Sequence, residues 1–162
     1  GLPLVSLIDT PGFMVGPVIE EQAQVRHVSR LFLHAAHLRV PFLAVVLRKG
    51  YGLGAMAMAG GGFHMPAATV AWPSGEFGAM GIEGAVKLGF SKELAAVADP
   101  DSRDKLFREL VSQVAERGQA INMASALEID AVIDPAETRG WLSRVLASTK
   151  IREQGSRPVD SW

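Results

Sequence analysis

Phe42-Leu-Ala-Val-Val-Leu47 is six apolar residues with no polar alternation, and Arg48-Lys-Gly-Tyr-Gly-Leu-Gly-Ala55 follows at once. An unbroken apolar run of this length predicts a strand buried on both faces. Upstream, Leu4-Val-Ser-Leu-Ile8 predicts a second buried strand, ending in the Pro- and Gly-punctuated stretch Asp9–Pro17. Between the two, Val25, Val28, Phe32, Ala35 and Leu38 recur at three- and four-residue steps, which predicts one amphipathic helix over 18–38. Arg39-Val-Pro41 ends it, because a residue before proline avoids the helical region. Strand, long helix, strand is a βαβ unit, so the two strands are expected to be parallel.

The same reading carries outward. Met56–Ala59 predicts a short buried helix that Gly60-Gly-Gly62 breaks, and Thr69–Trp72 a brief strand. Pro73–Gly81 reads as a tight connection, with short helical pieces at 83–88 and 92–98. After Asp99-Pro the chain turns charged and helical over 101–117 and 119–127. A strand-like 131–133 and a helix over 135–150 complete this layer, and 151–162 reads as an extended polar tail. No repeat or low-complexity tract is present.

Composition narrows the chemistry. In 162 residues, 16 Lys+Arg offset 17 Asp+Glu, so no global basic field exists to hold nucleic acid or an anionic membrane. With zero Cys there is no disulfide, thiolate nucleophile or Cys-ligated metal. No apolar run approaches a membrane span and no basic n-region opens the chain, which leads to the expectation of a cytoplasmic protein.

Asp9-Thr-Pro-Gly12 after a strand fits the D-x-x-G loop of a GTPase, but no phosphate-cradling G-x-x-x-x-G-K-[ST] loop exists. The plainer reading is a turn in which Asp9 accepts backbone hydrogen bonds. His34 and His37 share a helix without a carboxylate in register, so no metal site is expected; Ser74 lacks the G-x-S-x-G elbow. What remains is backbone. Gly50, Gly52 and Gly54 stand at a strand-to-helix corner, where unpaired amides can stabilise an oxyanion or where bare α-carbons let a helix pack closely on a sheet. Gly75, Gly78, Gly81 and Gly84 carry the same two readings.

Six stretches then occur in order: V-S-L-I-D-T-P-G-F at 5–13, R-H at 26–27, V-L-R-K-G-Y-G at 46–52, A-W-P-S-G-E at 71–76, M-G-I-E-G-A-V at 80–86 and I-D-A-V-I-D-P at 129–135. Together, over about 3–150 and with the terminal R-P-V-D-S-W, they resemble the C-terminal half of the carboxyltransferase β subunit of biotin-dependent acyl-CoA carboxylases, such as the propionyl-CoA enzyme. The resemblance implies an α/β crotonase (ClpP-like) fold, a spiral of β-β-α units. It makes 1–150 a partial, N-terminally truncated carboxyltransferase C-terminal domain.

It also implies carboxyl transfer from N-carboxybiotin to the α-carbon of an acyl-CoA. The biotin is carried by a partner, a biotin carboxyl carrier protein or biotin carboxylase subunit. The thioester side of the site belongs to a missing N-terminal carboxyltransferase domain, within a homo-oligomer; nucleic acid, membrane and metal are not implied. In the same terms, the main-chain amides of Leu53 and Gly54 form the biotin-side oxyanion hole, and Tyr51, Gly52, Met56, Pro11, Gly12 and Phe13 the surrounding pocket. Leu53 stands where this subunit usually has Gly, and Val28-Ser29 and Glu128 also differ from the commoner residues. The alternatives are a biotin-dependent acyl-CoA decarboxylase run with the same residues, and a non-catalytic assembly fragment of the same fold.

Overall fold

A computed structural model describes residues 1–149. The expected tail at 151–162 lies outside the described residues. Strand β1 (Leu4–Thr10) is followed by helices α1 (Pro17–Glu21) and α2 (Gln24–Ala36), then β2 (Phe42–Tyr51) and α3 (Gly52–Met58). Strands β3 (Ala68–Ala71) and β4 (Glu76–Gly78) precede α4 (Ile82–Gly89), α5 (Ser91–Ala96), α6 (Pro100–Arg117) and α7 (Ala120–Ser125). A two-residue β5 (Ala131–Val132) and α8 (Thr138–Ser148) close the described chain.

All strand pairings in the sheet are parallel, in the order β1-β2-β3-β5, and β4 also pairs with β2. β2 is the spine. Residues 43–46 pair with β3, and residues 49–51 pair with β4 further along on the strand. Side chains alternate across it. Ala44 and Val46 join Ile8, Ala71, Phe77, Ala55 of α3 and its C-cap Ala59 on one face, while Val45 joins Val70 and Ile133 on the other, near Trp141 and Leu142 of α8. Burial on both faces is why the 42–47 run shows no polar alternation. The alanines on the α3 side let that helix sit close to the sheet.

Several boundaries depart from expectation. The 18–38 helix is broken into α1 and α2, with Ala23 left-handed at φ 58°. Its apolar positions are not a core stripe either: no α2 residue is buried, and Val25 is 77% exposed. β1 is an edge strand whose Leu4, Val5 and Leu7 are exposed and only Ile8 is buried, so the expected buried strand is corrected to a half-covered edge. β2 runs on through Arg48-Lys-Gly-Tyr51, and β4 lies hidden in the stretch expected to be a connection.

Candidate functional site

The corner between β2 and α3 is shaped by an irregularity one turn upstream. β1 and β2 run in register to Ile8↔Val46, then resume at Thr10↔Gly50, so two steps on β1 face four on β2. This bulge bends β2 and hands residues 49–51 to β4. Polar side chains hold it open. Asp9 accepts from the Lys49 N–H at 3.1 Å and from Arg48 at 3.2 Å, and Ser74 Oγ donates to the Leu47 carbonyl at 2.7 Å. The Lys49 amide, and then the Arg48 guanidinium, hold the Asp9 carboxyl below the usual carboxylate range.

Tyr51 is the N-cap of α3, in extended conformation, and no side chain caps the helix. Gly52 then turns the chain at φ +60°, a left-handed angle that glycine adopts freely. A Cβ there would also fall 2.9 Å from the Ala79 carbonyl oxygen. Two constraints therefore select glycine at this one position. The amides of Leu53 and Gly54 follow in the first turn, where no intrahelical carbonyl reaches them. Among the described residues, no turn, loop or side-chain hydrogen bond takes either amide. Leu53 is 60% exposed, while Gly54 is buried.

A Cβ on Gly54 would lie 3.0 Å from the backbone of Gly12, so the bare α-carbon is what lets the loop after β1 lie against this turn. Thr10 Oγ1 fixes that loop by accepting the Gly12 N–H at 3.2 Å. The structure therefore brings Gly12 and Gly54 into contact, with Tyr51, Gly52 and Leu53 alongside in the chain and half-buried Phe13 following Gly12. Met56 lies one turn on and is 37% exposed. Tyr51 itself presents 3% of its surface; its ring packs against Gly78, and its hydroxyl donates to Glu76 Oε2 at 2.6 Å. Burial, reinforced by that carboxylate, raises the phenol pKa far above its ordinary value, so Tyr51 remains a donor and not a base.

The other candidates resolve into structural roles. Asp9 of the D-x-x-G stretch accepts a backbone hydrogen bond as expected, but from the neighbouring strand and not from its own turn. Ser74 is spent on the Leu47 carbonyl. His37 Nδ1 bonds the Leu33 carbonyl oxygen at 2.8 Å, and His64 Nε2 pairs with Glu128 at 3.3 Å. Among the described residues no three His, Asp or Glu are grouped to hold a metal ion, and no helix is long and apolar enough to cross a membrane. Gly75 and Gly78 serve close packing, since a Cβ at either would meet neighbouring atoms at 3.0 to 3.2 Å. Among the described residues, surface clefts lie elsewhere. One of about 210 Å³ is lined by Phe63, His64 and Asp130, and one of about 380 Å³ by Lys87, Leu94, Arg103 and Phe107. Missed from sequence were the Asp9 anchor and the Glu76 partner, because neither lies near its contact along the chain.

Compared with known proteins, residues 1–159 match the carboxyl transferase domain. The chain is 35% identical over 162 residues to the methylmalonyl-CoA carboxyltransferase 12S subunit of Propionibacterium freudenreichii subsp. shermanii, covering 98% of this chain and 29% of that one. A single-chain, multi-domain long-chain acyl-CoA carboxylase superposes with a TM-score of 0.77 at 53% identity, over 89% of this chain and 14% of that one. The transcarboxylase 12S structure, a hexamer assembly with methylmalonyl-CoA bound, gives 0.85 at 33% identity, over 99% and 31%. The parallel sheet with its covering helices is thus the crotonase fold expected from the sequence. The chain spans about three-tenths of the length of the curated relative it matches.

Proposed function

The chain belongs to the carboxyl transferase domain family, and from that premise we propose that it is the biotin-binding portion of an acyl-CoA carboxyltransferase. Its Leu53 and Gly54 amides serve as the oxyanion hole for the biotin ureido oxygen. The observation that carries this reading is the uncapped start of α3, where two backbone donors find no acceptor among the described residues at a corner formed with Gly12. Neutral N–H donors suit a ureido oxygen, which gains negative charge as the carboxyl group leaves; preorganised donors act most strongly on such developing charge.

When bound, carboxybiotin supplies both the carboxyl group and, once that group is lost, the base for the acyl α-carbon. The protein's task is then to orient, hold charge and exclude water. Leu53 and Gly54 donate. Gly52 and Gly12 shape the turn and the loop against it, with Pro11 and Phe13 flanking. Met56 offers an apolar, adaptable wall for the acyl end, which suits an unfunctionalised chain. Tyr51 contributes through the turn, since its side chain is buried.

The corner lies on exposed surface, as Leu53 and Met56 record. An opposed surface that closes the site over it fits this reading. In this reading it is the N-terminal carboxyltransferase domain of another subunit, which brings the acyl-CoA, while a carrier protein brings biotin. The test is saturation-transfer NMR of the purified, folded chain with biocytin. Transfer to the bicyclic ring is expected in the native chain and is expected to weaken in Leu53→Pro, which removes one donor at a first-turn position that tolerates proline. Equal transfer in the two chains would refute the amide role.

A further inference from the structure

The Tyr51 hydroxyl and the Glu76 carboxylate are 2.6 Å apart, yet 25 residues separate them along the chain. In the β2–β4 register Lys49 faces Glu76 and Tyr51 faces Gly78, so the bond runs diagonally across the pair. Gly78 lies beside the ring, at a distance where an added Cβ would make ordinary van der Waals contact with it. β4 is in turn fixed from the other side, where Phe77 N–H donates to the Gly118 carbonyl at 2.7 Å and Ala120 N–H to Gly75 at 2.9 Å. Tyr51 is also the residue from which α3 starts, with Gly52 pressed against the Ala79 carbonyl. The first turn of α3 therefore inherits its orientation from β4.

We propose that the Tyr51–Glu76 hydrogen bond is a positioning element that sets the direction of the Leu53 and Gly54 amides. This inference rests on the amide role proposed above. No side chain caps the first turn of α3, so its restraints come from packing and from outside the helix, Gly54 resting on Gly12 and Gly52 lying beside the Ala79 carbonyl. A charge-assisted bond from a buried phenol adds a directional restraint at the residue where the helix starts. In this proposal both act through the turn, as positioning residues and not as catalytic ones.

The test uses the full chain labelled with ¹⁵N, with residual dipolar couplings to read N–H orientation without ligand and biocytin titration as a second readout. Tyr51→Phe removes the donor and Glu76→Ala the acceptor, so that one remains informative if the other does not fold. Glu76→Gln keeps an acceptor. Either deletion is expected to change the couplings of Leu53 and Gly54 while leaving β1 and β3 unchanged, and to weaken biocytin about tenfold. Glu76→Gln is expected to restore the native couplings, with affinity within about threefold. Unchanged couplings in the deletions, whatever their stability, would overturn the proposal, as would a Gln variant indistinguishable from Ala. A native chain that fails to bind biocytin refutes the amide role for this chain alone, while the couplings still decide the orientation claim.

Discussion

Helices α3 and α6 begin in opposite ways. α6 starts as local rules prescribe: Asp99 Oδ2 accepts the Ser102 N–H at 2.9 Å, Pro100 fills the first position and Asp101 lies in the first turn. α3 starts from a tyrosine without a side-chain cap, turns at a left-handed glycine and leaves its Leu53 and Gly54 amides without partners among the described residues. One start is finished by its own residues; the other is held from outside by β4 and by the 11–13 loop. The difference teaches where to look for chemistry. A helix start capped by its own residues has fewer donors left to bind with, and an uncapped one leaves them to water or to a ligand; α3 shares its uncapped start with other helices and differs from them in the left-handed glycine and the contact with Gly12.

The comparison breaks first at the two opening positions. Gly52→Ala forces a Cβ into a left-handed conformation and to within 2.9 Å of a carbonyl oxygen. The expected cost is at least ~2 kcal/mol in urea unfolding, together with loss of biocytin binding. Pro100→Ala at the start of α6 is expected to cost only about 0.4–1 kcal/mol, the entropy its ring removes from the unfolded chain, and to leave binding intact. Similar costs for the two changes would mean that the α3 corner is no more constrained than an ordinary helix start.

A smaller effect separates stability from binding. Asp99→Ala removes the α6 cap and is expected to lower the thermal midpoint by about 2–4 °C with biocytin binding unchanged. A loss of binding in that variant would show that α6 supports the corner after all, through Gly118 and Phe77.

What the sequence disclosed follows the same division. Asp99-Pro100 marks the start of α6 to within a residue, because capping is local chemistry written in neighbouring residues. The βαβ unit at 4–47 was legible because β2, buried on two faces, leaves an apolar run and β1 is apolar too, although as an edge strand it buries only Ile8. The passage of β2 through Arg48-Lys-Gly-Tyr51 was not, since a bulge places polar residues inside a strand and erases the pattern. Nor was the break at Ala23, where no glycine or proline announces a left-handed residue. At the candidate site the glycines marked the β2–α3 corner in the sequence, and the resemblance supplied the amide role proposed there. The restraints on that corner, Asp9 on Lys49 and Tyr51 on Glu76, join residues 40 and 25 apart and have no periodic signature.

Acid sharpens the comparison last and most gently. Asp9 and Asp99 both have carboxyl pKa values held below the usual range, Asp9 by the Lys49 amide and Arg48, and Asp99 by the Ser102 hydroxyl and amide. For a depressed carboxyl, the stabilising contribution is present above the unfolded value of about 3.9 and is lost as pH falls through the lower folded value. Acidification therefore loosens both helix starts, but by different routes. Protonating Asp99 releases a cap within α6, whereas protonating Asp9 releases the bulge that aims residues 50–54. The amide shifts of residues 50–54 are expected to move with the Asp9 titration below about pH 4, and to lose that transition in Asp9→Asn, whose amide oxygen still accepts the Lys49 N–H but does not titrate. Asp99→Ala is expected to leave the transition in place. Because Asp9 and Arg48 are exposed, added salt is expected to shift the Asp9 transition upward toward the ordinary value. A 50–54 transition that survives in Asp9→Asn would uncouple the bulge from the corner, and the two helix starts would then differ only in how each is capped.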